Sequence, residues 1–447
     1  MTVPETCQTG PRTGIDRRAF IGGGLMLPLA AMNGAHGEPG YAPAPRPSPQ
    51  TLTIEQARVQ LLPAPALASD VLSINGADGT QAVRLRAGRD ERVIVNNTLD
   101  QPVSVVARGF RGDGFASNGN LIAPMSTRSF IVRPDRGGSC LLMPSPHEAQ
   151  LSERGMASLL IIEDGAPSAF DNDVGVLLKD FRLAPDGAVV APAGARLGNA
   201  LAVNGRLERF DVPVRRHERL RLRLANASTI RILVLEMRGF SPRIIALDGA
   251  PCEAFAPDGN KIVLPPGGRV DLLVEVAAHP DKPLTIATRL GPIDVDLISL
   301  PFVADAPLRQ ASPEPFTGLP DARRPRLELA KALRINVSPE GRHWLGETQD
   351  TSAAVPLFSA ALGRTIVLVV DNPRPAPALL HCDGQHLRPL DGLDDGVKPW
   401  VLDTILLGPG ERLLLAFVAE QPGLHRLYWR DLAAPFSGFA CHFTISS

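Results

Sequence analysis

Three prolines set the frame of this chain. Pro124 opens PMSTRSFIV, Pro266 opens PGGRVDLLVEV and Pro409 opens PGERLLLAFV, at intervals of 142 and 143 residues. Each supplies a turn whose fixed φ leads into a run of mostly aliphatic residues, the pattern of a turn followed by a strand. Upstream of each lies a second marker, a strand-like run closed by asparagine: ERVIVNN at Asn97, RLRLAN at Asn226 and GRTIVLVVDN at Asn372. In the first two copies an Asn-Gly pair, Asn75-Gly76 and Asn204-Gly205, begins 22 residues before that asparagine. A third marker trails the prolines, in GGSCLLM, KPLTIAT and PGLHRLYW. A repeat this long means three similar domains and not a solenoid of short units. Strand-length runs with turns at roughly eight- to twelve-residue spacing point to all-β Greek-key sandwiches.

The length of 447 residues accommodates two or three domains, and Pro 43 with Gly 41 suits short strands and turns better than helices. We place the boundaries at 51–165, 166–310 and 311–447. The Pro-rich Ala306–Arg326 forms the linker into the third copy, and Leu327–Leu333 is at most a short helix. The net charge of −1 argues against nucleic acid as a general partner.

Residues 1–37 read as an export signal. Arg17-Arg18-Ala19-Phe20 precedes an apolar run, Gly22–Met32, too short to span a bilayer, and small residues follow it at Gly34–Gly37. The arginine pair resembles a twin-arginine (Tat) signal, with an ordinary secretory signal or a retained anchor as the alternative. Residues 38–50 are a Pro-rich extended tether. No other apolar run reaches about 18 residues, so no transmembrane segment is expected in the mature chain, and the expected location is the periplasm.

The turn sequences carry a family resemblance. Gly155–Asp164 (GMASLLIIED), the VNG…RLRLANAS block over 203–228, Ala246-Leu247-Asp248-Gly249-Ala250-Pro251 and Asp403-Thr404…Pro409-Gly410-Glu411-Arg412 are similar to stretches of the multicopper oxidases, across nearly the whole mature chain. That resemblance implies three tandem cupredoxin-like domains. It also implies four coppers held by about ten histidines and one cysteine, since imidazole and thiolate select copper at such sites.

The ligand positions hold other residues. The chain has nine His in all, and His36 falls in the signal. Where the family has its first His-x-His-Gly, the chain has Val106-Ala107-Arg108-Gly109; where it has the second His-x-His, Met143 and Ser145 stand. The downstream His-x-x-His-x-His-Gly becomes Ala378-Leu379-Leu380-His381-Cys382-Asp383-Gly384, keeping His381. The closing His-Cys-His becomes Tyr428-Trp429-Arg430. No copper or other cofactor, and no catalytic or metal-binding residue, is therefore expected. The resemblance points to the ligand-less branch of the family and implies a periplasmic binding or scaffold protein, with proteins of the division machinery as partners.

A smaller site stays open. His381, Cys382, Asp383 and His386 are close in sequence, and Cys441-His442 lies on the last strand. They form either a single metal site in the third domain, serving a laccase-like oxidoreductase, or a turn with satisfied polar side chains. In an extended strand His381 and Asp383 point to one side and Cys382 to the other. Cys382 and Cys441 are either bridged or buried free thiols. His147 and His425 read as surface or packed histidines. The alternating arginines of Arg215–Arg223 read as the solvated face of a half-buried strand, with attraction of an acidic partner as the alternative. No Gly-x-Ser-x-Gly elbow and no phosphate loop occurs.

Overall fold

The computed structural model describes residues 50–76, 82–115, 120–145, 148–164, 169–190, 197–276, 283–303, 307–320, 325–340, 355–390, 400–434 and 438–447. The export signal, nearly all of the tether and His147 lie outside them. The described chain is all-β: six sheets stacked as three cupredoxin-like Greek-key sandwiches, built from strands within 50–163, 172–299 and 333–446. Each sandwich encloses its own core. The first is centred on Leu52, Val93 and Ile122, the second on Leu222, Leu235 and Leu272, the third on Leu368, Leu415 and Trp429.

The repeat has a local cause. In each domain the strand closed by asparagine pairs antiparallel with the strand that follows the proline turn: Glu91–Asn97 with Ser126–Pro134, Arg219–Asn226 with Arg269–Glu275, and Thr365–Asp371 with Arg412–Val418. Asn97, Asn226 and Asn372 are fully buried. The amide of Asn97 donates to Gln101 O (2.9 Å) and Ala123 O (3.0 Å), that of Asn226 to Arg231 O (2.8 Å) and Leu264 O (2.9 Å), and that of Asn372 to Ala376 O (2.9 Å) and Gly408 O (2.8 Å). Each Oδ1 accepts a backbone N–H two residues on, from Leu99, Ser228 and Arg374. One side chain thus ties its own turn to the peptide ahead of the proline turn. Only a short amide, with donors and an acceptor at one end, satisfies both.

Asn75 and Asn204 take left-handed backbone, with φ of 61° and 48°, and their Oδ1 atoms accept from Thr53 N (2.7 Å) and Leu177 N (2.8 Å). The stretch Leu327–Leu333 contains one 3-10 turn, Leu329–Lys331. A short helix, Ala149–Glu153, was not anticipated.

The arginine strand corrects the sequence reading. All eight residues of Arg219–Asn226 are buried on both faces. The leucines fill the second core, while the arginines meet acids and the first domain: Arg219 pairs with Glu275 (2.7 Å), Arg221 with Asp271 (2.6 Å) and Arg223 with Asp173 (2.6 Å). Ser139 of the first domain donates to Asp271 Oδ1 at 2.7 Å and accepts from Arg223 at 3.1 Å. Beside this polar seam, Leu141, Met143, Leu159 and Ile161 pack on Leu177, Ala225 and Ala227. The alternation is genuine. The arginines are buried because the first domain covers Arg223 and residues 314–316 cover Arg219, and each is paired with a carboxylate.

Candidate functional site

The positions that match the family's ligand motifs do converge, at the junction of the three domains. Strand Val103–Arg108 lies beside Gly138–Pro144, with Val106 opposite Met143. Strand Ala378–Cys382 lies beside Gly423–Asp431, with His381 opposite Tyr428 and Leu379 opposite Arg430. Alternation then sorts the side chains. Cys382 and Trp429 turn into the third core, at 1% exposure each. His381 turns to the interdomain side and is 4% exposed, while burial and then the charges of Arg108, Arg269 and Arg430 hold its pKa well below the ordinary histidine value. Copper ligands would have to come from this side, and two of its members are guanidinium groups, which stay protonated and offer no lone pair.

Arg269 and Asp403 form the centre of the junction. The guanidinium donates to both carboxylate oxygens, at 3.1 and 2.5 Å, with side-chain exposures of 0% and 2%. It also donates to Gly267 O, Asp248 O and Ser139 O. Asp248, in a turn with φ of 47°, accepts from Arg269 N, Asp403 N and Thr404 N. Burial, then Asp403, raises the Asp248 pKa, and Arg269 opposes them. Two glycines make room for the arginines. At Gly109 (φ 84°) a side chain would run into the Arg269 guanidinium, and at Gly267 (φ 82°) into that of Arg108. Both glycines have backbone that favours glycine in any case.

A hydrogen bond places one proton of His381 on Nδ1, and the directions of the pKa shifts of His381 and Asp383 set the state of Nε2. Thr404 Oγ1 donates to Asp403 Oδ1 at 2.7 Å, so its other contact, with His381 Nδ1 at 3.1 Å, has the histidine as donor. A neutral imidazole with its proton on Nδ1 accepts at Nε2. The partner there is Asp383 Oδ1 at 2.8 Å, which then carries the proton. The Asp383 carboxyl is indeed pushed up to about 7, by burial first, with Arg108 opposing and Asp403 adding to the shift. The pair is a neutral acid donating to a neutral base.

The remaining sequence candidates separate. His386 does not join His381: its Nδ1 accepts from Arg136 (2.9 Å) and its Nε2 donates to Asp248 O (3.1 Å), which ties all three domains together. Burial, then Arg136 and Arg111, holds it well below the ordinary histidine value. Cys382 and Cys441 are free buried thiols. Burial pushes Cys441 up to about 12. His425 is packed against Phe443 and bonded to Gln421 O and Asp383 O. His442 is buried. Among the described residues no three His, Cys, Asp or Glu side chains gather as a metal-binding group. Also among them, no helix is long and apolar enough to cross a membrane.

Sequence reasoning singled out the turns holding Asp248 and Asp403 but missed Arg269 as their partner, and it missed Arg136 on His386. The available signal for Arg269 was a charged residue directly after the Pro-Gly-Gly turn, at the start of its strand.

Comparisons with known proteins bear on the fold. No family profile matches the chain. In sequence it is similar to the cell division protein FtsP of Pectobacterium atrosepticum, 28% identical over 316 residues, which is 63% of this chain and 64% of that protein. It is also similar to FtsP of Gallibacterium anatis, 28% over 232 residues (48% and 49%), and of Escherichia coli K12, 26% over 310 residues (63% and 64%). The matched part thus spans about half to two-thirds of those relatives' own length. In structure the chain is similar to a multi-copper oxidase from Pseudomonas thermotolerans, with a TM-score of 0.74 at 23% identity over 89% of this chain and 99% of that one. Lac15 from a marine microbial metagenome gives 0.71, also at 23%, over 89% and 100%.

Proposed function

We propose that this chain, multicopper-oxidase-like in fold and similar in sequence to FtsP, is an exported, copper-free protein of bacterial cell division that works by binding and not by oxidation. One observation carries the reading. At the junction where the family's histidines would converge, Arg108 and Arg430 present permanent cations around a neutral His381. A divalent metal there would meet like charge and find one imidazole already committed at both nitrogens. Burial, then Arg108, pushes Arg430 down to about 10, and Arg430 still donates to Thr229 O of the second domain (3.5 Å). The former ligand positions are occupied by groups that hold three domains together.

The arginine pair near the N-terminus supports export by the Tat route to the periplasm, and the FtsP similarity supports partners in the division machinery. Depletion of the protein in its native host during low-salt growth, followed by microscopy, tests the role. Filamentous cells, restored by the full chain, are expected; normal division under every such condition contradicts it.

A further inference from the structure

A pocket of about 290 Å³ lies between the first and third domains, on the outer face of a sheet of the third. Strand Arg412–Val418 builds its floor. Leu415 and Phe417 point into the third core, so alternation turns Ala416 and Val418 outward, and both line the pocket together with Val401. Strand Arg388–Leu390 pairs with this strand, Arg388 opposite Ala416. Residues directly opposite in an antiparallel pair share a face, so the Arg388 guanidinium stands beside the apolar floor. From the first domain, Arg111 and Arg136 close the wall.

Charge in the pocket is unbalanced. Its described lining carries three guanidinium groups, those of Arg111, Arg136 and Arg388, against two carboxylates, Asp135 and Glu420. Glu420 pairs with Arg111 at 3.0 Å, and Asp135, which is exposed, accepts from the Gln421 amide at 2.6 Å. His386 is neutral, its Nδ1 accepting from Arg136 and its Nε2 donating to Asp248 O. The surplus positive charge falls on Arg388. That side chain is half-buried, and among the described residues it has neither an ion pair nor a hydrogen bond. Burial alone lowers its pKa, with no carboxylate acting to raise it. A guanidinium drawn out of water without a partner costs free energy, and a carboxylate held by two hydrogen bonds to its planar fork offsets that cost.

We propose that this pocket binds the C-terminal residue of a polypeptide partner, its carboxylate held by Arg388 and its apolar side chain lying on Ala416, Val418 and Val401. This assignment rests on the binding role and names what the partner presents. One surplus cation matches one carboxylate. Size sets a further limit: ligand clefts span about 300–1,000 Å³, and this pocket lies at their lower end, with room for one residue. Juxtaposition sets the last. Cation and apolar floor stand side by side, so the ligand must carry a carboxylate and an apolar group on one carbon. The C-terminus of an apolar residue does so, whereas an aspartate or glutamate side chain carries its carboxylate alone.

Calorimetry of the full chain with four peptides provides the test. They are acetyl-Gly-Ala-Leu with a free C-terminal carboxylate, the same peptide amidated, acetyl-Gly-Ala-Ser with a free carboxylate, and acetyl-Ala-Glu-Ala amide. Saturable binding of the first is expected, with each of the others weaker by about tenfold or more. Arg388→Gln, at a half-buried surface position, is expected to fold and to lose about tenfold in affinity for the first peptide. Arg334→Gln removes an exposed arginine from strand Leu333–Val337, outside the pocket, and is expected to bind as the parent does. Any other peptide binding as tightly as the first, unchanged affinity in Arg388→Gln, an equal loss in Arg334→Gln, or no binding at all overturns the proposal. Normal division on depletion would sink the cellular role with peptide binding intact, so the two failures are distinguishable.

Discussion

Arg269 of the second domain and Asp403 of the third form a two-bond ion pair with side-chain exposures of 0% and 2%, 134 positions apart in the chain. Around it stand Asp248, Thr404, His381 and Asp383, each bonded to the next. Removing one partner of such a pair leaves an uncompensated buried charge, which costs about 3–5 kcal/mol. Arg269→Met is expected to lower the unfolding midpoint in urea sharply. Arg58→Met, which breaks the exposed pair with Asp70, is expected to leave it nearly unchanged, as surface pairs contribute about 0–1 kcal/mol. Equal midpoints for the two variants would contradict the structural role of the junction.

Asp383 gives a pH signature with a definite sign. Its folded pKa of about 7 lies above the ordinary carboxylate value, so its stabilising contribution is fully present below the unfolded pKa and is lost as pH rises through 7. Asparagine mimics the protonated acid and still donates to His381 Nε2. Asp383→Asn is therefore expected to gain stability relative to the parent between pH 5 and pH 8, in thermal melts at both values. The depressed histidines act in the opposite direction but are common to both proteins. A difference that does not change with pH would mean that Asp383 is ionised throughout, against the bonding order deduced for His381.

The asparagine ties carry a third expectation. Asn226→Ala removes two amide donors and one acceptor from a fully buried site, leaving Leu264 O, Arg231 O and Ser228 N unsatisfied. A loss of about 2–4 kcal/mol is expected, from roughly one hydrogen bond's worth per orphaned group. Asn97→Ala and Asn372→Ala are expected to behave alike, since the same three bonds recur. If only one of the three variants lost stability, the tie would not be the reason for the repeat. Chemical denaturation of the three variants in parallel checks this.

Much of the fold was legible because its causes are local. A closing asparagine and a proline turn define each copy through bonds that span a few tens of residues at most, and the period of two in Arg219–Leu224 does mark a strand. What the alternation did not carry was the environment of the arginine face. Whether Arg221 and Arg223 meet water or Ser139 and Asp271 depends on a surface about eighty residues away in sequence, which no local pattern encodes. The junction was legible in half. The departure from the multicopper-oxidase ligand motifs at Arg108, Tyr428 and Arg430 is visible in the sequence, while the partner that fixes Asp403 is visible only once the second and third domains meet. The His381–Asp383 pair matches the same-side reading, and Cys382 turns away into the core as alternation requires.

Metal content after copper loading tests the account most directly. The full chain is purified, incubated with excess Cu(II) under oxidising and then Cu(I) under reducing conditions, desalted, and assayed for bound copper, thiolate-to-copper absorbance and oxidation of a phenolic substrate. Copper far below one ion per chain, no charge-transfer band and no oxidation are predicted, with His381→Ala and His386→Ala leaving all three unchanged. Stoichiometric copper that disappears in either variant, together with phenol oxidation, would contradict the account and restore a laccase-like oxidoreductase with a relocated site in the third domain.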